Sequence, residues 1–180
     1  RGLLAVAVAL LLAVALLRYE DARADLSQAQ PDSEVHYYAG LSEEALGNPE
    51  KAREHFEAAA EDRKLAAAAQ VQLAELSARG RDYQKAEAAL KAAREAAPES
   101  ERAMEESVAV LRAAHATAQR RALLRDAAKQ FPGNSLLRYE RTLDGTKDEG
   151  LWMHLGADAD RVLNLASTYL RLGMSDDAIA

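Results

Sequence analysis

The stretch LGNPEKAREHFEAAAEDRK, Leu46 to Lys64, sets Gly47 and Pro49 two residues apart and runs without a break into Ala52, Phe56 and Ala59. Glycine ends helices readily because it has no Cβ. Proline is tolerated in a first turn, where its missing N–H would have no helical partner anyway. The stretch therefore predicts the end of one helix and the start of a second, with Ala52, Phe56 and Ala59 on one face of the second. That face recurs. Ala59, Ala93 and Ala127 are 34 residues apart, as are Phe56, Leu90 and Leu124, and Ala52 and Ala86 and the pair Pro98 and Pro132 hold the same interval. Several columns in one register mark stacked supersecondary units.

Composition agrees with an all-helical reading. Hydrophobic residues make up 49% of the 180, but aromatics only 5%, so the apolar content is mainly Ala, Leu and Val. A net charge of -6 without a Lys or Arg block argues against nucleic-acid binding, which needs a concentrated basic surface. The absence of cysteine excludes disulfides, thiolate metal sites and a cysteine nucleophile.

With these columns the chain resembles the tetratricopeptide repeat family, whose unit is a pair of antiparallel helices with small residues at their contact. In a first unit, Ser33 to Ala66, Gly40 and Gly47 fall where the family places its contact and turn glycines. A second, Ala67 to Ser100, offers Ala74, Tyr83, Ala86, Leu90, Ala93 and Pro98. A third, Glu101 to Asn134, keeps Leu124, Ala127 and Pro132 but has Arg120 where the pattern expects Ala. A further unit begins near Ala159 with Leu165, Ala166, Tyr169, Gly173 and Ala178, its second helix cut short at residue 180. The resemblance implies an antiparallel helix-pair solenoid, a right-handed superhelix, that binds other polypeptides on a concave face lined by first helices. Carried over by register, that face presents Tyr37, Leu41, Val71, Glu75, Arg79, Glu105, Arg112, Leu163, Ser167 and Arg171. The family's chaperone-binding members clamp a terminal carboxylate with Asn and Lys. Here Tyr37, Leu41, Val71 and Glu75 hold the corresponding places, so a mixed apolar and charged groove for a helix or extended segment is expected instead.

Two segments stand apart. Residues 135–158 are ten short of a full repeat and contain Trp152 and Met153 in LWMHL. They read either as a docking cluster or as a shortened helix pair with both side chains packed inside, the usual place for large apolar residues. At the start, Gly2 to Leu17 carries no polar side chain, so a helix there must be buried in lipid or in protein. The first option makes residues 1–18 a single-pass membrane anchor with the repeats on an undetermined side, joined through residues 19–32. The second makes Leu3 to Leu17 the first helix of another repeat, buried in a soluble or self-assembling solenoid. In either case the chain reads as part of a longer one.

No catalytic, metal or cofactor motif emerges. His36, His55, His115 and His154 show no ligand spacing and no H-E-x-x-H. Gly145 to Gly150 has the glycine spacing of a phosphate loop, but Leu151 and Trp152 follow where Lys and Ser or Thr are needed. Asp144/Asp148 and Asp158/Asp160 lack the twelve-residue calcium pattern, and Glu43/Glu44 and Glu105/Glu106 are adjacent on a helix and point apart. The expected function is a non-catalytic protein-interaction scaffold without cofactor, either membrane-tethered or, alternatively, a soluble or homo-oligomeric subunit.

Overall fold

A computed structural model describes residues 18–21, 24 and 32–179, and every regular element among them is helical. The helices are α1 (Ser33–Ala45), α2 (Pro49–Ala59), α3 (Ala66–Arg79), α4 (Tyr83–Ala96), α5 (Glu101–Ala113), α6 (Thr117–Gln130), α7 (Ser135–Leu143), α8 (Leu151–Gly156), α9 (Ala159–Arg171) and α10 (Ser175–Ala178). The chain forms two compact units, Arg1–Gln70 and Val71–Ala180, with the division inside α3. The apolar segment 2–17 lies outside the described residues, as does most of 19–32. Among the described residues, no helix is long and apolar enough to cross a membrane.

In the first unit, α1 and α2 pack as a hairpin through small residues. Gly40 sits against the Phe56 ring so closely that a Cβ added there would meet ring carbons at 2.6 and 2.8 Å. Tyr37 packs its ring 5.8 Å from that of Phe56, and Ala52, Phe56 and Ala59 are fully buried.

In the second unit, Ala86, Leu90 and Ala93 of α4 join Val71, Ala74 and Ala78 of α3 and Ala109 and Val110 of α5 in one apolar core that also takes Tyr169 and Leu172. A second core gathers Met104, Val108, Leu124, Ala127 and Leu137. The 34-residue columns are thus the buried face of each second helix. Residues Val71 to Ala78 are buried without exception, so this stretch of α3 has no solvent-facing side.

The turns repeat with the helices. Asn48 N–H donates to the Glu43 carbonyl and Gly47 N–H to that of Glu44, with Gly47 at φ +78. This is the Schellman closure, in which a left-handed residue lets the last carbonyls be capped. Arg81 (φ 60) and His115 (φ 56) occupy the equivalent positions, 34 residues apart, with Asp82 N–H on the Ser77 carbonyl and Ala116 N–H on that of Leu111. The third turn is formed like the others although Arg120 stands at the alanine position. A side chain in the left-handed region costs roughly 1 kcal/mol. Gly47→Ala should therefore lose about 1 kcal/mol in urea unfolding, whereas Arg81→Gly and His115→Gly should hold or raise stability, the relieved strain offsetting about 0.5–1 kcal/mol of added chain entropy.

Candidate functional site

First helices of the second unit carry acidic residues that are almost wholly buried. Glu106 of α5 and Glu140 of α7 are 34 residues apart and have no solvent exposure; Glu75 of α3 has 2%. A buried carboxylate must be paired and hydrogen-bonded. Each is, and the partners come from several helices.

Glu140 is held from three sides. Arg112 Nε of α5 donates to its Oε1 at 2.9 Å, Arg120 Nη1 of α6 to its Oε2 at 3.0 Å, and the Tyr169 hydroxyl of α9 to Oε1 at 2.7 Å. Arg112 also stacks 5.4 Å from the Tyr169 ring centroid and reaches Asp177 of α10 at 2.7 Å. Burial, then the neighbouring Glu140 charge, push the Tyr169 phenol far above its ordinary value, so it keeps the proton it donates to Glu140. Arg120 Nη2 goes on to Asp144 at 2.7 Å, and hydrogen bonds from Arg121 and Arg120 hold that carboxyl below its usual range. Arg120 thus buries a guanidinium at the alanine column because Glu140 of α7 and Asp144, the residue that follows the helix, supply two carboxylates to receive it.

The second group joins α3, α5 and α9. Arg102 Nη2 donates to Glu75 at 2.6 Å and Arg102 Nε to Glu106 at 2.9 Å, while Arg171 Nε of α9 donates to the same Glu75 oxygen at 2.9 Å. Arg79 Nη1 closes the set on the Arg171 carbonyl at 3.0 Å. Among the described residues, none donates a hydrogen bond to Glu106 Oε2. Burial, and after it the adjacent Glu75 carboxylate, push the Glu106 carboxyl well above the usual carboxylate range.

The residues expected on the concave face are therefore placed as follows. Glu75, Arg79, Arg112, Ser167 and Arg171 meet within the second unit, paired through one another or through Glu140, with Arg171 Nη1 donating to Ser167 Oγ at 3.2 Å. Val71 is in the core, Leu163 stands in solvent at 64% exposure, and Tyr37 and Leu41 are half-buried in the first unit. Sequence reading missed Glu140 and Arg120 as members of one ion group and Glu106 and Arg102 as members of the other. The one signal was the 34-residue interval between Glu106 and Glu140, charged residues in a column that a core helix would fill with apolar ones.

Glu105 lines a separate cleft of about 330 Å³ with Glu101, Asn134, Ser135, His154 and Arg161. Asn134 Nδ2 donates to Glu105 at 2.6 Å and Glu101 at 3.2 Å, and burial raises the Glu105 carboxyl. Ser135 Oγ lies 3.1 Å from His154 Nε2, the contact of a nucleophile and its base. The other ring nitrogen faces a donor. Arg161 Nη1 lies 3.2 Å from Nδ1, and because a guanidinium can only donate, Nδ1 accepts and Nε2 carries the proton toward Ser135. A His in that tautomer cannot take the serine proton. Burial and, after it, Arg161 lower the pKa of His154.

Trp152 and Met153 are 70% and 77% exposed on α8, which is anchored by buried Leu151 and Leu155. The expectation that they pack inside is overturned. A six-residue helix has one inward side, and the two leucines occupy it.

These features define an all-helical repeat protein with a charged, internally paired face. Residues 34–63, which form α1, α2 and the turn between them, match the tetratricopeptide repeat family model, so the chain carries a repeat of that family. No curated protein matches the chain.

Replacing Glu140 with Ala leaves Arg112 and Arg120 without their shared carboxylate and should cost about 3–5 kcal/mol in urea unfolding, the usual loss when one member of a buried ion pair is removed. Glu106 gives a pH signature. Because its folded pKa is raised, the folded state holds a proton that the unfolded state has released, and the stability it contributes is present below about pH 4.5 and lost as pH rises through the folded value. Glu106→Gln removes that dependence, so the stability of the variant relative to the parent should rise with pH from about 4.5 upward in denaturant titrations.

Proposed function

We propose that the chain is a non-catalytic protein–protein interaction scaffold, acting as a helical-repeat subunit that presents apolar anchors to a partner. The observation behind it is the exposure of Trp152 and Met153 on a short helix whose inward side is already filled. A large aromatic held on a fixed element is a favoured binding anchor because it buries much area with few torsions to freeze, and a thioether beside it adapts to the shape of a partner. The neighbouring cleft supports the same reading: Glu101, Glu105, Asn134 and Arg161 give a polar rim next to His154 of the same helix.

Three features favour binding over catalysis: the repeat family match, the tautomer of His154 and the full internal pairing of Glu140. Residues 2–17, on which tethering would depend, lie outside the described residues. The subunit form, with that apolar segment buried against protein, accommodates the same composition.

A photo-crosslinking amino acid at position 152 tests the proposal against one at Lys85, an exposed residue of α4. A defined protein adduct at 152 that is absent at 85, and that is lost when Met153 is changed to Glu, is the expected result. Equal labelling at both positions, or none at 152, would overturn it.

A further inference from the structure

His36 of α1 and His55 of α2 are 19 residues apart in sequence, yet their Nδ1 atoms are 3.1 Å apart across the hairpin, with ring centroids separated by 5.4 Å. Imidazole binds divalent transition ions at about 2.0–2.1 Å, so two such bonds span roughly 2.9 Å at a right angle and roughly 3.4 Å at the tetrahedral angle. The observed separation falls between these two bites. We propose that His36 and His55 form a two-nitrogen chelate for a divalent transition-metal ion of the zinc, copper and nickel class.

The hairpin holds both rings in place. Tyr37 and Phe56, the residues next to them in each helix, pack with ring centroids 5.8 Å apart, and Gly40 beneath lets the helices approach closely enough for the histidines to meet. The surrounding charge favours a cation: Glu43 and Glu54 act on His55 from the two helices, against the single ammonium of Lys51. Glu43 is fixed by Asn48 Nδ2, which donates to it at 2.7 Å. Burial, and then His36, lower the pKa of His55, so its ring is neutral at physiological pH and has a lone pair to give.

Without metal, one Nδ1–H donates to the other Nδ1. When the ion takes both Nδ1 atoms, the donor ring moves its proton to Nε2, and no net proton is released while both rings are neutral. The remaining coordination positions are open to water or to a donor group of a partner. A metal bridge of that kind would be independent of Trp152 and its neighbours.

Calorimetric titration of the whole chain with Zn²⁺ and Cu²⁺ at about pH 7.5 tests the site. The expected result is one ion per chain, Cu²⁺ bound more tightly than Zn²⁺ in line with the Irving–Williams order. His36→Ala and His55→Ala should each weaken binding at least about tenfold, a chelate having become a single ligand, while His115→Asn has no effect. Electron paramagnetic resonance of the Cu²⁺-loaded parent should show coupling to two nitrogens, a readout that does not depend on how any variant folds. An affinity that neither alanine substitution changes, or coupling to one nitrogen only, overturns the proposal. If circular dichroism shows that an alanine variant has lost helix, His55→Gln is held to the same criterion. These outcomes are separate from crosslinking at position 152, so either proposal can fail alone.

Discussion

The carboxylate of Glu140 has no contact with solvent, and its charge has to be met by groups the fold brings to it. Arg112, Arg120 and Tyr169 do so from α5, α6 and α9, which ties three helices to a fourth through one side chain. The interior position of Arg120 follows from this need. So does the placement of α9, whose Tyr169 enters the apolar core with its ring and reaches Glu140 with its hydroxyl. An apolar residue in place of Glu140 would take from Arg112 and Arg120 the carboxylate they share and leave each with one acidic partner, Asp177 and Asp144, so these substitutions are coupled and none can be read alone.

Glu75 and Glu106 extend the same logic. Two carboxyl groups lie close together, and Arg102 and Arg171 bridge them from either side. Both ion groups are completed by α9, whose Arg171 lies 96 residues beyond Glu75 in the sequence. The face that a repeat protein would usually offer to a partner is, in the second unit, paired within the chain. The network does not use the polar cleft at Glu105 and Asn134 or the outward side of α8, and the proposed partner contact is placed on the latter, at Trp152 and Met153.

The turns show how far local chemistry reaches. Gly47 announces its turn because a left-handed residue without Cβ is the cheapest way to close a helix. Arg81 and His115 adopt the same conformation with side chains attached, and nothing in their chemistry signals it. Helix packing on both sides supplies the energy that holds them there. The paired histidines belong to the same category: 19 residues separate them, and only the crossing of α1 over α2 brings the rings into contact.

Helical class, the 34-residue period and the identity of the small buried columns were legible in the chain itself, because Gly, Pro and apolar spacing act through backbone geometry and through which side of a helix excludes water. Ala59, Ala93 and Ala127 are fully buried for that local reason. Partners of the charged residues were not legible. A carboxylate on a helix looks like a solvated residue until the surrounding helices remove water from it, and then its energy depends on groups far away in sequence. Glu140 and Arg120 became core residues, and Trp152 a surface one, only through tertiary packing: α7 and α8 are short, so Leu151 and Leu155 took the available interior and left the larger side chains outside.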